Sequence, residues 1–176
     1  KEVDTATNLA QGGIAAVLNV EDSFESHIKD TLDAGAGLCD LEVVEMVVKN
    51  GPDRISELMD LGVNFVKEKN GTLSLGKEGG HSKRRVAHSY DLTGREIERA
   101  LIESVEKKRD ICIYENHMCV DLIIEEELDK DGIKEPKKCV GAYVIDEYGD
   151  IKQFFAKIVI LCTGGTGKVY LYTSNP

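Results

Sequence analysis

The chain has 176 residues, 41% of them hydrophobic and 31% charged, the balance of a globular protein rather than a disordered one. With 22 Lys and Arg against 32 Asp and Glu, its formal net charge is −10. That field repels nucleic acid and anionic membrane, so neither is expected as a partner.

No apolar run reaches the roughly 18 residues that a membrane-crossing helix needs, and no secretory signal pattern opens the chain. The five cysteines are scattered, with no CxxC pair and no His at zinc-finger spacing. No metal site is expected from them, and their pattern suits a reducing compartment, the cytoplasm. The start at Lys1 without a Met and the stop at Asn175-Pro176 read as the ends of a piece of something longer.

Lys1 to Asn8 is polar and turn-like. Ala10 to Val20 is a glycine loop, Gly12-Gly13, entering a short apolar element. Glu21 to Ala34 reads as a helix. Asp22 is expected to cap it, with Glu25 at capping-box spacing. Phe24, Ile28 and Leu32 form its apolar stripe, and Gly35 and Gly37 end it. Asp40 is expected to cap a second helix, which runs on to Gly62. Asn50-Gly51-Pro52 predicts a break or kink in it, because Pro is poor inside a helix.

Val63 to Val66 and Thr72 to Leu75 read as strands joined through Asn70-Gly71, a hairpin turn signal. Arg84 to Tyr90 reads as a further strand or an extended crossing. Thr93 is expected to cap a third helix together with Glu96, with Ile97, Leu101, Ile102 and Val105 on the buried side. The period then changes to two. Strands are expected at Ile111–Tyr114, His117–Glu125, Cys139–Ile145 and Ile151–Ala156, with a solvated turn from Glu125 to Lys138. Ile158 to Leu161 is apolar throughout, as in a parallel strand covered on both faces. It ends at Cys162-Thr163-Gly164-Gly165, a strand's carboxyl end, where open α/β sheets place ligands.

The stretch Leu75 to Ser82 gathers a carboxylate, two glycines, an imidazole and a hydroxyl. Adjacent glycines allow close approach of a flat ligand. No nucleophile and base stand at a defensible spacing. His27 reads as a helix-surface residue and His117 as structural, which leaves His81 and His88 as the better candidates. There is no GxGxxG. Glycine turns beside apolar strands without that fingerprint fit a dinucleotide-binding domain that lacks its first βα unit.

Four motifs stand in order: Asn8-Leu9-Ala10-Gln11-Gly12-Gly13-Ile14-Ala15-Ala16, Glu78-Gly79-Gly80-His81-Ser82, Thr93-Gly94-Arg95-Glu96 and Thr163-Gly164-Gly165. Together they resemble the succinate dehydrogenase/fumarate reductase flavoprotein family. The run from Asp30 to Asp40, and Glu78 through Arg84-Arg85, is most similar to the branch that oxidises L-aspartate. The resemblance implies an α/β fold over residues 1–176: a partial Rossmann-like FAD-binding domain, with helices packed on a mainly parallel sheet plus an antiparallel β-meander.

The resemblance further implies that FAD contacts Thr7, Asn8, Ala10, Gln11, Gly12 and Gly13, along with Val120, Thr163 and Gly164. Glycine N–H groups suit phosphate oxygens, and the Gln amide can donate to and accept from a flavin edge. Some members attach FAD through a His just before this segment. The matching position here is Ala6, and residues 1–13 contain no His, so non-covalent FAD is expected.

Glu78 is the implied substrate residue, its carboxylate meeting the α-ammonium of L-aspartate, with His81 beside it. The implied reaction yields iminoaspartate for quinolinate synthase in NAD biosynthesis, with oxygen or fumarate as electron acceptor. The family's glycine fingerprint would precede Lys1 and its capping domain would follow Pro176, so this stretch alone is expected to be inactive. Two alternatives stay open: a fumarate reductase or succinate dehydrogenase flavoprotein subunit, and a non-catalytic nucleotide-binding domain.

Overall fold

The computed structural model describes residues 5–126 and 137–173. It divides into two compact units, one spanning Glu2–Ile111 and one running from Cys112 onward.

The first unit orders β1 (Ile14–Ala15), α1 (Phe24–Ala34), α2 (Leu41–Asp60), β2 (Leu75–Gly76), β3 (Val86–Ala87) and α3 (Thr93–Glu106). The three short strands form an antiparallel sheet in the order β1-β3-β2. Ala16, Ile55, Val63, Phe65, Ala87 and Ala100 make the core, with Ile14, Leu75 and Ile97 packed against it.

Helix α1 begins one residue later than the capping-box spacing predicts. Ser23, in an extended conformation, is its cap, and its hydroxyl accepts from the Ser26 N–H at 3.1 Å. Asp22 is instead committed to a charge-assisted bidentate pair with Arg85, the stronger use of a carboxylate. His27 is buried, not on the helix surface.

Asp40 caps α2 as expected, accepting from the Val43 N–H at 3.2 Å. The helix runs unbroken through Pro52. An interior proline costs about 3 kcal/mol, and packing on both sides offsets it: Val48 and Ile55 are both buried. Between them a Cβ built on Gly51 would stand 3.2 Å from the Ala16 Cβ, so the small residue lets the helix lie against the chain just after β1.

The Asn70-Gly71 turn forms, with Gly71 at φ 87°. It carries one bridge, Lys67 to Leu73, rather than two full strands. The Asn64 N–H, which a longer ladder would use, donates to the Glu96 carboxylate at 2.9 Å. Glu96 is thereby withdrawn from capping α3, and Thr93 accepts from the Ser89 N–H instead. Thr93, Gly94 and Ala100 are the buried residues of α3, while Leu101 is exposed.

In the second unit β4 (Met118–Glu125), β5 (Lys138–Ile145) and β6 (Ile151–Phe155) form the expected antiparallel meander. Asp146 closes the β5–β6 turn, accepting from the Tyr148 and Asp150 N–H groups. Most of the expected solvated turn lies outside the described residues.

Every strand pairing among the described residues is antiparallel, so the mainly parallel sheet is not seen there. Ile158 and Ile160, expected in a doubly covered strand, are 78% and 79% exposed. An apolar run becomes a strand only when another backbone edge accepts its hydrogen bonds, and none pairs with it here. Ile111–Tyr114 is likewise not a strand; Tyr114 packs edge-on against Phe154 at 5.0 Å instead.

Candidate cofactor and substrate site

The loop from Thr5 to Gly13 is held from beneath by α3. The Thr5 hydroxyl donates to Glu98 at 2.6 Å and accepts from the Asn8 N–H at 3.0 Å. The Gly94 N–H donates to the Ala10 carbonyl at 2.9 Å. A Cβ at Gly94 would overlap the Thr7 carbonyl and stand 2.8 Å from the Ala10 Cβ, so the absence of a side chain lets helix and loop touch. The product is a cleft of about 400 Å³ lined by Thr7, Ala10, Gly12 and Gly13 with Thr93, Gly94 and Ile97.

Gly12 also borders a second cleft, of about 280 Å³, with Gln11, Gly76, Lys77, Glu78, Val86, His88, Tyr90 and Asp91. A Cβ at Gly12 would lie 3.4 and 3.5 Å from the two Glu78 carboxylate oxygens. Residues 66 apart in the chain thus come together in the fold. The Glu78 side chain is exposed.

His81 does not line this cleft. Its ring meets His27 edge-on at 5.7 Å, and both Nδ1 atoms are buried without a hydrogen-bond partner among the described residues. Burial, followed by the nearby Arg85 guanidinium and His81, pushes the His27 pKa below its ordinary 6.5. His88 occupies the Glu78 cleft instead. The signal for it is the period of two: Val86 and His88 fall on one face of an extended segment, and both line the cleft.

Arg85, which reads in sequence as part of a basic cluster, is fully buried. It donates to both Asp22 oxygens and to Asp30, each at 2.7 Å, and to the Ser26 hydroxyl at 3.0 Å. Asp30 also accepts from the Ser82 N–H at 2.7 Å and hydroxyl at 2.8 Å. The Ser82 N–H, helped by the Ser82 hydroxyl and Arg85 against the cost of burial, holds the Asp30 pKa at about 2.

Val120, Thr163 and Gly164 belong to the unit that runs from Cys112 onward. Val120 sits at a register shift of β4 and is exposed. Thr163 is exposed, and Gly164 takes φ 71°. No group of three or more His, Cys, Asp or Glu among the described residues is arranged to hold a metal.

The chain is 44% identical, over 98% of its length, to L-aspartate oxidase 2-b, chloroplastic, of Nicotiana tabacum. It is 45% identical, over 97% of its length, to L-aspartate oxidase of Yersinia pestis. It spans 26% and 32% of the lengths of those two proteins. Among solved structures it resembles Mycobacterium smegmatis Sdh1 in complex with UQ1, with a TM-score of 0.84 and 32% identity, covering 100% of this chain and 30% of that one. Residues 1–176 match the FAD binding domain family along their whole length, and the chain belongs to that family.

Proposed function

We propose that residues 1–176 are part of the FAD-binding domain of an enzyme that oxidises L-aspartate to iminoaspartate, feeding quinolinate synthase in NAD biosynthesis. The observation that carries this reading is the Glu78 carboxylate standing beside Gly12 in a cleft shared with Gln11. The identities to named L-aspartate oxidases support it.

The residues present fit FAD. Thr7, Ala10, Gly12 and Gly13 line an open cleft of about 400 Å³, and Thr hydroxyls and glycine N–H groups suit phosphate oxygens. In this reading Asn8, Gln11, Val120, Thr163 and Gly164 complete the contacts from this chain, and Ala6 leaves no imidazole for a covalent link. When bound, FAD supplies the acceptor for the substrate's Cα hydride and passes the electrons to oxygen or fumarate.

Glu78 receives the α-ammonium of L-aspartate in a charge-assisted hydrogen bond. Succinate offers it no such partner, so the contact favours L-aspartate over succinate. The same argument weighs against the succinate dehydrogenase reading, to which the likeness to Sdh1 gives family support. The five free cysteines suit a reducing compartment such as the cytoplasm.

The test is anaerobic bleaching of the flavin bands in a polypeptide of the relatives' full length that contains this chain. Bleaching by L-aspartate alone supports the reading. Bleaching by succinate alone moves the protein to the dehydrogenase branch, and a protein without flavin is a non-catalytic domain.

A further inference from the structure

The loop that carries Glu78 is fastened at its base and along α1, where the His81 ring packs on His27 and the Ser82 hydroxyl lies 3.2 Å from that of Ser26. At its base, β2 pairs with β3 and the Arg85 N–H donates to the Gly76 carbonyl at 3.1 Å. Its turn closes through the His81 N–H to the Glu78 carbonyl at 3.3 Å, with Gly80 at φ 82°. A Cβ built at Gly79 would meet nothing within 4 Å, so the turn has no packing of its own there.

On α1 the loop is also held by Asp30. One of its oxygens, Oδ2, accepts three donors: the Ser82 N–H at 2.7 Å, the Ser82 hydroxyl at 2.8 Å and Arg85 Nη1 at 2.7 Å. Asp30 is itself fixed, because Arg85 is clamped by both oxygens of Asp22 at the start of the same helix. A glycine turn held only at its base samples many backbone states; tying Ser82 to a helix removes most of them.

We propose that Asp30 is a positioning residue for substrate recognition: through Ser82 it holds the glycine loop so that the Glu78 carboxylate stays beside Gly12. The inference rests on Glu78 receiving the substrate ammonium. A preorganised carboxylate binds better because the cost of ordering it is met in folding rather than in binding.

The test uses the flavin-loaded enzyme of the relatives' full length and four variants: Asp30→Asn, Ser82→Ala, Glu78→Gln and the Glu78→Gln/Asp30→Asn double. Asp30→Asn and Ser82→Ala are expected to raise the KM for L-aspartate several-fold, up to about tenfold for the first, with kcat and flavin content near the parent's. The Asp30→Asn effect disappears in the Glu78→Gln background, a coupling that a merely structural role would not produce.

A KM unchanged in Asp30→Asn and Ser82→Ala, while Glu78→Gln raises it, overturns the positioning role and leaves the reading of Glu78 standing. An Asp30→Asn effect that persists undiminished in the Glu78→Gln background overturns it too. If Glu78→Gln alone changes neither KM nor the preference over succinate, the reading of Glu78 fails and the positioning role with it. Should Asp30→Asn not fold, Ser82→Ala decides the matter, alone and in a further Glu78→Gln/Ser82→Ala double, since it leaves the Arg85 pairs in place.

Discussion

Arg85 shows how one side chain's surroundings change its meaning. In sequence it stands in a basic cluster with Lys83 and Arg84, yet its side chain is 0% exposed and its Asp22 partner 1%. Breaking such a pair leaves an uncompensated buried charge, so Arg85→Leu is expected to cost about 3–5 kcal/mol, read as a lowered urea midpoint. Arg85→Lys should recover only part of this, because a point-charge ammonium cannot span both Asp22 oxygens.

The same residues set an acid limit. Asp30 titrates at about 2 in the fold and about 3.9 unfolded. Its contribution is complete above about pH 4 and is lost as pH falls towards 2. His27 works in a higher window. Burial lowers its pKa, so the unfolded chain binds the proton first and stability falls as pH drops below about 6.5. His27→Phe is expected to flatten the pH profile of unfolding in that window and leave the Asp30 limb unchanged.

At the scale of elements, what matters for the site is contact between α3 and the Thr5–Gly13 loop. Gly94 has no room for a Cβ against the Thr7 carbonyl. Gly94→Ala is therefore expected to lift the loop off the helix at a cost of about 1–3 kcal/mol. Flavin retention after gel filtration should fall with it. Gly37→Ala is a control away from the clefts: a Cβ there meets no neighbour within 4 Å, although φ 87° strains it. It should cost stability without releasing flavin.

The caps divide along similar lines. Asp40 is legible because no other group among the described residues competes for its carboxylate. Asp22 and Glu96 have the right spacing to cap, but partners distant in sequence, Arg85 and Asn64, claim them first.

For the whole molecule, the charge and the cofactor give the clearest expectations. With Ala6 at the position of the linking His, acid or detergent denaturation should release all flavin into solution; flavin migrating with the denatured chain would overturn the non-covalent assignment. The isolated 176-residue chain exposes Ile158, Ile160 and Leu161 as well as Leu171 and Tyr172. Apolar surface of that kind drives association, so light scattering should report a mass above that of the monomer.

The family motifs, the three helices and the β4–β6 meander are legible along the chain. Each rests on local periodicity, on turn chemistry or on a motif whose residues stand in order along the chain. The fold places His88 rather than His81 in the Glu78 cleft, carries α2 through Pro52 and leaves Ile158–Leu161 without a strand partner among the described residues. It also makes Arg85 an interior ion. The physical reason is common to all four: burial, the availability of a backbone edge and the competition for a carboxylate depend on groups that are distant in sequence, and no spacing along the chain encodes which competitor arrives.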